Sequence, residues 1–175
     1  MDSNDFRPVV DHHLLAYDYF DQGLAAAAHI KSFMATNTPD YAFLDHTADL
    51  GINVRGEDLK NLFETAARAL MHLMIGGESQ AKTSDMNITV SGQDLPDLLV
   101  RWLGEILYLF EGEDLVVTSI QIDFLSLSRL DAALKTVPFD PIVHKIQNEI
   151  KAVTYHQIHV IEKGSVWEAQ VIFDV

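Results

Sequence analysis

Two stretches of this chain place apolar residues every three or four positions, and they decide what it can fold into. Leu59, Leu62, Phe63, Ala66, Leu70, Leu73 and Met74 make one stripe. Leu98, Leu99, Trp102, Leu103, Ile106, Leu107 and Phe110 make the other. That spacing puts each set on one side of an α-helix. Gly56-Glu57-Asp58 supplies an acidic start for the first helix and Gly76-Gly77 a stop. Asp94 caps the second, with Pro96 in its first turn and Gly112 at its end. A helix with one oily face has to bury it, and the rest of the chain offers strands to bury it against.

Phe43 to Val54 begins and ends strand-like around a polar centre, and Met86 to Val90 is a short strand. Leu115 to Leu127 and Leu130 to Leu134 read as a hairpin about Ser128-Arg129. Pro138-Phe139-Asp140-Pro141 makes a rigid loop. Ile150 to Ile161 and Val166 to Phe173 alternate as two strands, joined by the hairpin signal Glu162-Lys163-Gly164-Ser165. No internal repeat is evident. The expected fold class is α+β: a single domain with an antiparallel-rich sheet and two amphipathic helices packed on one face. Residues 1–40 read differently. Val9 to Met34 carries helical signals broken near Gly23, and Thr36-Asn37-Thr38-Pro39-Asp40 reads as a linker. The expected division is an N-terminal extension and linker over 1–40, accessory or an upstream-start artefact over 1–33, and a domain over 41–175.

Composition excludes more than it identifies. The net charge of −14 repels phosphate backbones, so strong direct binding of nucleic acid is not expected. The same charge attracts cations or a basic protein surface. With no cysteine there is no disulfide, thiolate metal site or Cys nucleophile. The apolar run Leu98 to Phe110 contains Arg101 and Glu105 and is too short to span a bilayer. Asp2, Asp5 and Asp11 replace the basic region of a secretory signal. The expectation is a soluble, cytoplasmic protein with no membrane partner. P-loop, dinucleotide, Gly-x-Ser-x-Gly and His-Glu-x-x-His motifs are all missing from the sequence.

Three constellations can carry chemistry. If a strand runs through Phe173-Asp174-Val175, the Asp174 side chain and the Val175 α-carboxylate stand side by side. Two ionised oxygen groups held close repel unless a hard cation bridges them, and Mg²⁺, Mn²⁺ or Ca²⁺ suits such donors. A solvated chain end explains the same residues equally simply. His46-Thr47-Ala48-Asp49 gathers polar groups at a break between strands, and a turn satisfying its own backbone is the alternative. In Lys151-Ala152-Val153-Thr154-Tyr155-His156-Gln157-Ile158-His159, strand alternation sets His156 and His159 on opposite faces. The same alternation sets Lys151 and Tyr155 together, as an anion contact or a solvated edge. His72, His144 and the His12-His13 pair have no ligand spacing.

The order and spacing of these segments resemble the archease family. The similarity rests on His46-Thr47-Ala48-Asp49-Leu50-Gly51-Ile52, on Lys151-Ala152-Val153-Thr154-Tyr155-His156 and on the terminal Val171-Ile172-Phe173-Asp174-Val175. Leu98-Leu99-Val100-Arg101-Trp102-Leu103 and Pro138-Phe139-Asp140-Pro141 before His144 reinforce it. Thr136-Val137 departs from the expected Gly-Glu ahead of that loop, and residues 1–40 have no counterpart. The resemblance implies an SHS2-type α+β domain. It further implies a non-catalytic activator of the GTP- and metal-dependent tRNA-splicing RNA ligase, promoting guanylylation and repeated turnover. It also implies a divalent ion, calcium first with Mg or Mn as substitutes, on Asp49, Asp174 and Val175. His46, Lys151, Thr154 and His156 are then supporting or partner-contact candidates, with no catalytic residue and an oligomeric state left open. Two rivals stand beside this expectation: a stand-alone metal-dependent phosphoesterase using His46 or His156 as base, and a chaperone-like binding module.

Overall fold

The structure, a computed structural model, describes residues 39–44 and 49–175. Among the described residues, ten strands and two helices follow one another: β1 (Tyr41–Phe43), β2 (Leu50–Gly56), α1 (Leu59–Met74), β3 (Ile75–Gly76), β4 (Ser84–Ser91), α2 (Leu95–Glu111), β5 (Leu115–Leu125), β6 (Arg129–Pro138), β7 (Lys145–Ile146), β8 (Ala152–Val153), β9 (His159–Lys163) and β10 (Val166–Asp174). The fold is α+β, and every strand pair is antiparallel. The expected sheet is in fact three. One has five strands in the order β1-β2-β10-β8, with β9 also on β10. A second has three strands in the order β4-β6-β5, and a third is the two-residue pair β3-β7.

Both apolar stripes face inward as their periodicity demands. Leu62, Phe63, Ala66, Leu70, Leu98, Leu99, Trp102, Leu103 and Ile106 have no exposed surface. They pack with Ile52 and Val54 of β2, Leu130 of β6, and Ala169, Val171 and Phe173 of β10 into one core. The Trp102 indole N–H, buried between the helices, donates to the Phe63 carbonyl at 3.1 Å, so the large ring hides no unmet donor.

The described residues contain a structural duplication. β2 enters α1 and pairs with β10, the second strand of the β9–β10 hairpin. In the same way β4 enters α2 and pairs with β6, the second strand of the β5–β6 hairpin. Both helix entrances are built alike. Asp58 accepts from the Asn61 N–H while the Asn61 side chain accepts from the Glu57 N–H. Asp94 accepts from the Asp97 N–H while the Asp97 carboxylate accepts from the Gln93 N–H. These are reciprocal caps. A Cβ on Gly56 would fall 2.4 Å from the Leu62 nitrogen, and one on Gly92 would fall 2.7 Å from the Leu98 Cα. Each glycine therefore lets its strand end press against the first turn of the helix that follows.

The second correction concerns the expected strand Ile150 to Ile161. It breaks into β8 and β9, which share one edge of β10 but in different registers: Gln170 faces His159, whereas Phe173 faces Val153. The surplus residues leave the edge as an excursion through Tyr155–Ile158. Gln157 there sits at φ 52, and the Gln170 side-chain amide donates to the Gln157 carbonyl at 3.2 Å. The opposed faces inferred for His156 and His159 assumed unbroken alternation, so that inference does not apply.

The Pro138 loop is braced by His144, which is almost fully buried. The His144 Nδ1 accepts from the Asp140 N–H at 2.9 Å, and the ring stacks on Phe139 at 5.6 Å. Thr136 and Val137, the departure from the family pattern, are buried at the end of β6.

Candidate metal-ion end of the five-stranded sheet

The β2–β10 ladder runs from Trp167 opposite Gly56 to Phe173 opposite Leu50. One step further along the same register lie Asp174, the last residue of β10, and Asp49, which enters β2. Both are exposed. Val175 follows, at 45% exposure. The sheet thus brings together the chain segments that carry Asp49, Asp174 and Val175.

On the far side of β10 the short β8 covers this same end. The Lys151 N–H donates to the Asp174 carbonyl at 2.8 Å, and the Thr154 N–H to the Ile172 carbonyl at 3.0 Å. The Thr154 hydroxyl also donates to the Ile172 carbonyl, at 2.9 Å, and accepts from the His156 N–H. Thr154 is therefore a backbone pin where the edge strand departs. Lys151 and His156 are exposed beside the same strand end. His46, in the segment before Asp49, lies outside the described residues, as do residues 1–38. His72 accepts or donates with the Tyr41 hydroxyl at 3.0 Å, a contact between β1 and α1.

Tyr155 does meet an anion, and that anion belongs to the protein. Its hydroxyl donates to Asp97 Oδ1 at 2.6 Å. The Arg101 Nε contacts both Asp97 oxygens, at 2.9 and 3.0 Å. The Tyr155 hydroxyl first, then the Gln93 N–H and Arg101, hold the Asp97 carboxyl below the usual carboxylate range, and the bond to Asp97 raises the Tyr155 phenol. Sequence reading did not connect these residues. The recurring Gly-x-Asp-Leu-x-x-Leu at Gly56 and Gly92 was the available signal, since it marks Asp97 as the counterpart of Asn61.

As to donor chemistry, the described residues hold no cluster of three or more His, Cys, Asp or Glu side chains. Among the described residues, Asp49 and Asp174 are the two carboxylate side chains that the β2–β10 register brings to this end. A site of that kind offers oxygen alone, which suits a hard divalent cation.

The sequence profile of the Archease protein family (MTH1598/TM1083) matches residues 41–175. The chain belongs to the archease family. Similar archease proteins include that of Methanosarcina mazei, 32% identical over 146 residues, spanning 81% of this chain and 100% of the relative. That of Methanosarcina acetivorans is 33% identical over 149 residues, with the same two shares. Among solved structures, Methanobacterium thermoautotrophicum protein 1598 matches with a TM-score of 0.58 and 28% identity, covering 78% of this chain and 99% of that one. A Thermotoga maritima protein described as "an archease, possible chaperone" matches with a TM-score of 0.52 and 21% identity, over 75% and 94% of the two chains, and shows the shared archease fold. None of the helices among the described residues is long and apolar enough to cross a membrane.

Proposed function

We propose that this archease-family chain is a non-catalytic activator of the GTP- and metal-dependent tRNA-splicing RNA ligase. In this reading it promotes guanylylation and repeated turnover by presenting a divalent ion, calcium first, at the Asp174 end of its five-stranded sheet. Asp49, Asp174 and the Val175 carboxylate would hold the ion, with Lys151 and His156 beside it for contact with the ligase. The ion would neutralise the converging carboxylates and offer open coordination positions. The chain's own residues supply the rest: a rigid strand end, an acidic surface, and a docking charge of −14 suited to a protein made basic by its RNA substrate.

The observation that carries this reading is a comparison between the two halves of the molecule. Asp85 stands before Ile88, Val90, Gly92 and Asp94 just as Asp49 stands before Ile52, Val54, Gly56 and Asp58. Opposite Asp85 is Lys135, and the two form an ion pair at 2.8 Å. Opposite Asp49, one step past the last ladder pair, is Asp174. The same cross-strand position is a salt bridge in one half and two carboxylates in the other. Two carboxylates at one strand end are the oxygen donors that a hard divalent cation takes.

The test is calorimetric titration of the full chain with calcium, alongside stimulation of an RNA ligase. Asp49→Ala, Asp174→Ala and a one-residue extension after Val175 should each remain folded by circular dichroism. The extension displaces the α-carboxylate by about 3.3 Å, well beyond coordination tolerance. All three should lose calcium binding and stimulation. Unchanged stimulation in all three sinks the proposal. A chaperone-like module is the second reading, favoured by the description of the Thermotoga protein. It is preferred if aggregation of unfolded clients falls with no dependence on metal.

A further inference from the structure

The end of β10 has an unusual edge. β9 covers β10 only from Val166 to Gln170, and beyond that its neighbour is β8, a strand of two residues. A two-residue strand cannot hold its own place, because its few backbone bonds do not offset the entropy of ordering it. Something at each end must fix it. At the start, Ile150 is buried in the core. At the other end the chain leaves the sheet after Thr154, and the next residue is Tyr155. Tyr155 is 58% exposed, so burial does not hold it; its hydroxyl bond to Asp97 does.

The internal duplication shows that Asp97 does more than cap its helix. Asn61, its counterpart in α1, makes both capping bonds, one through its backbone N–H and one through a neutral side chain. Asp97 makes the same two and has, in addition, a charge that engages Arg101 and Tyr155. Capping alone does not need that charge. A carboxylate accepting from a phenol at 2.6 Å makes a short, charge-assisted bond. Its consequence is to tie the segment after β8 to the first turn of α2.

We infer that Asp97 and Tyr155 are positioning residues: their hydrogen bond, backed by Arg101, fixes β8 against the last residues of β10 and so orders the end of the chain. The link is short. Tyr155 follows Thr154, whose N–H and hydroxyl both bond to Ile172, and Lys151 bonds to Asp174 itself. The effect on ion binding rests on the function proposed above, whereas the effect on the order of β8 does not.

Two variants test it on the full chain. Tyr155→Phe removes only the hydroxyl. Asp97→Asn keeps the two capping bonds, as Asn61 does, and removes the charge. Hydrogen exchange at the Lys151 and Thr154 amides should speed up in both, while exchange across β5–β6 stays as in wild type. Calcium affinity should fall roughly tenfold, the low end of what losing a supporting contact costs at metal sites. Asp174→Asn is run beside them. If it abolishes calcium binding while both variants bind and exchange like wild type, the positioning role is refuted and the ion site stands. If Asp174→Asn binds calcium normally, the ion site falls, and the exchange rates alone decide whether Asp97 and Tyr155 hold β8.

Discussion

Single residues here act mainly by satisfying backbone groups where regular structure gives out. Thr154 replaces ladder bonds with its hydroxyl, His144 accepts a loop N–H, and Asp97 gathers three donors. Asp97 carries a pH consequence. Its carboxyl is held below the ordinary value of 3.8, so the folded state favours its ionised form. That contribution is complete above the unfolded value and fades as pH falls through the lower folded one. The stability advantage of wild type over Asp97→Asn, followed by urea denaturation, should therefore be constant near neutrality and shrink below about pH 4. An advantage that grows on acidification contradicts the assignment. The charged residues at the Asp174 end of the sheet were legible as a family motif, because Asp49 and Asp174 sit in recognisable segments. Asp97 and Tyr155 were not, since a hydrogen bond between residues so far apart in the chain leaves no periodicity to read.

Among the elements, the two helices were legible down to their caps, because a core-facing stripe and an N-cap aspartate each have a direct chemical cause. The hairpin at Gly164, with φ 66 at its first central position, was equally plain. The division into three sheets was not, because β3 and β7 are two residues each and too short to show alternation. The break between β8 and β9 was hidden too: alternation continues in the letters while the backbone skips register. The duplicated entrances yield a sharper expectation. Gly56→Ala and Gly92→Ala should each cost on the order of 2 kcal/mol, because the added methyl meets helix backbone that cannot give way. Chemical denaturation of the pair measures this. Gly104, with nothing near its absent Cβ, is the control, and Gly104→Ala should be neutral or mildly stabilising.

At the scale of the whole molecule, charge is the governing property. Of the described cations, Arg55, Arg68, Arg101, Arg129, Lys135 and Lys163 are spent on internal ion pairs. The surface field is therefore dominated by carboxylates. If the partner is a basic RNA-binding enzyme, the association rate measured by stopped flow should drop steeply between low and physiological salt, with dissociation changing much less. A rate indifferent to salt argues against an electrostatic approach. The position of β10 has a different consequence, one of timing. It is the central strand of its sheet and yet the last in chain order, so β2 has no second neighbour until synthesis of the domain is nearly done. The half from Ser84 to Pro138 pairs only among its own near neighbours and can assemble while the rest is still emerging. Newborn chains would thus pass through a half-built stage with an oily sheet face uncovered, and cells would have reason to shield it.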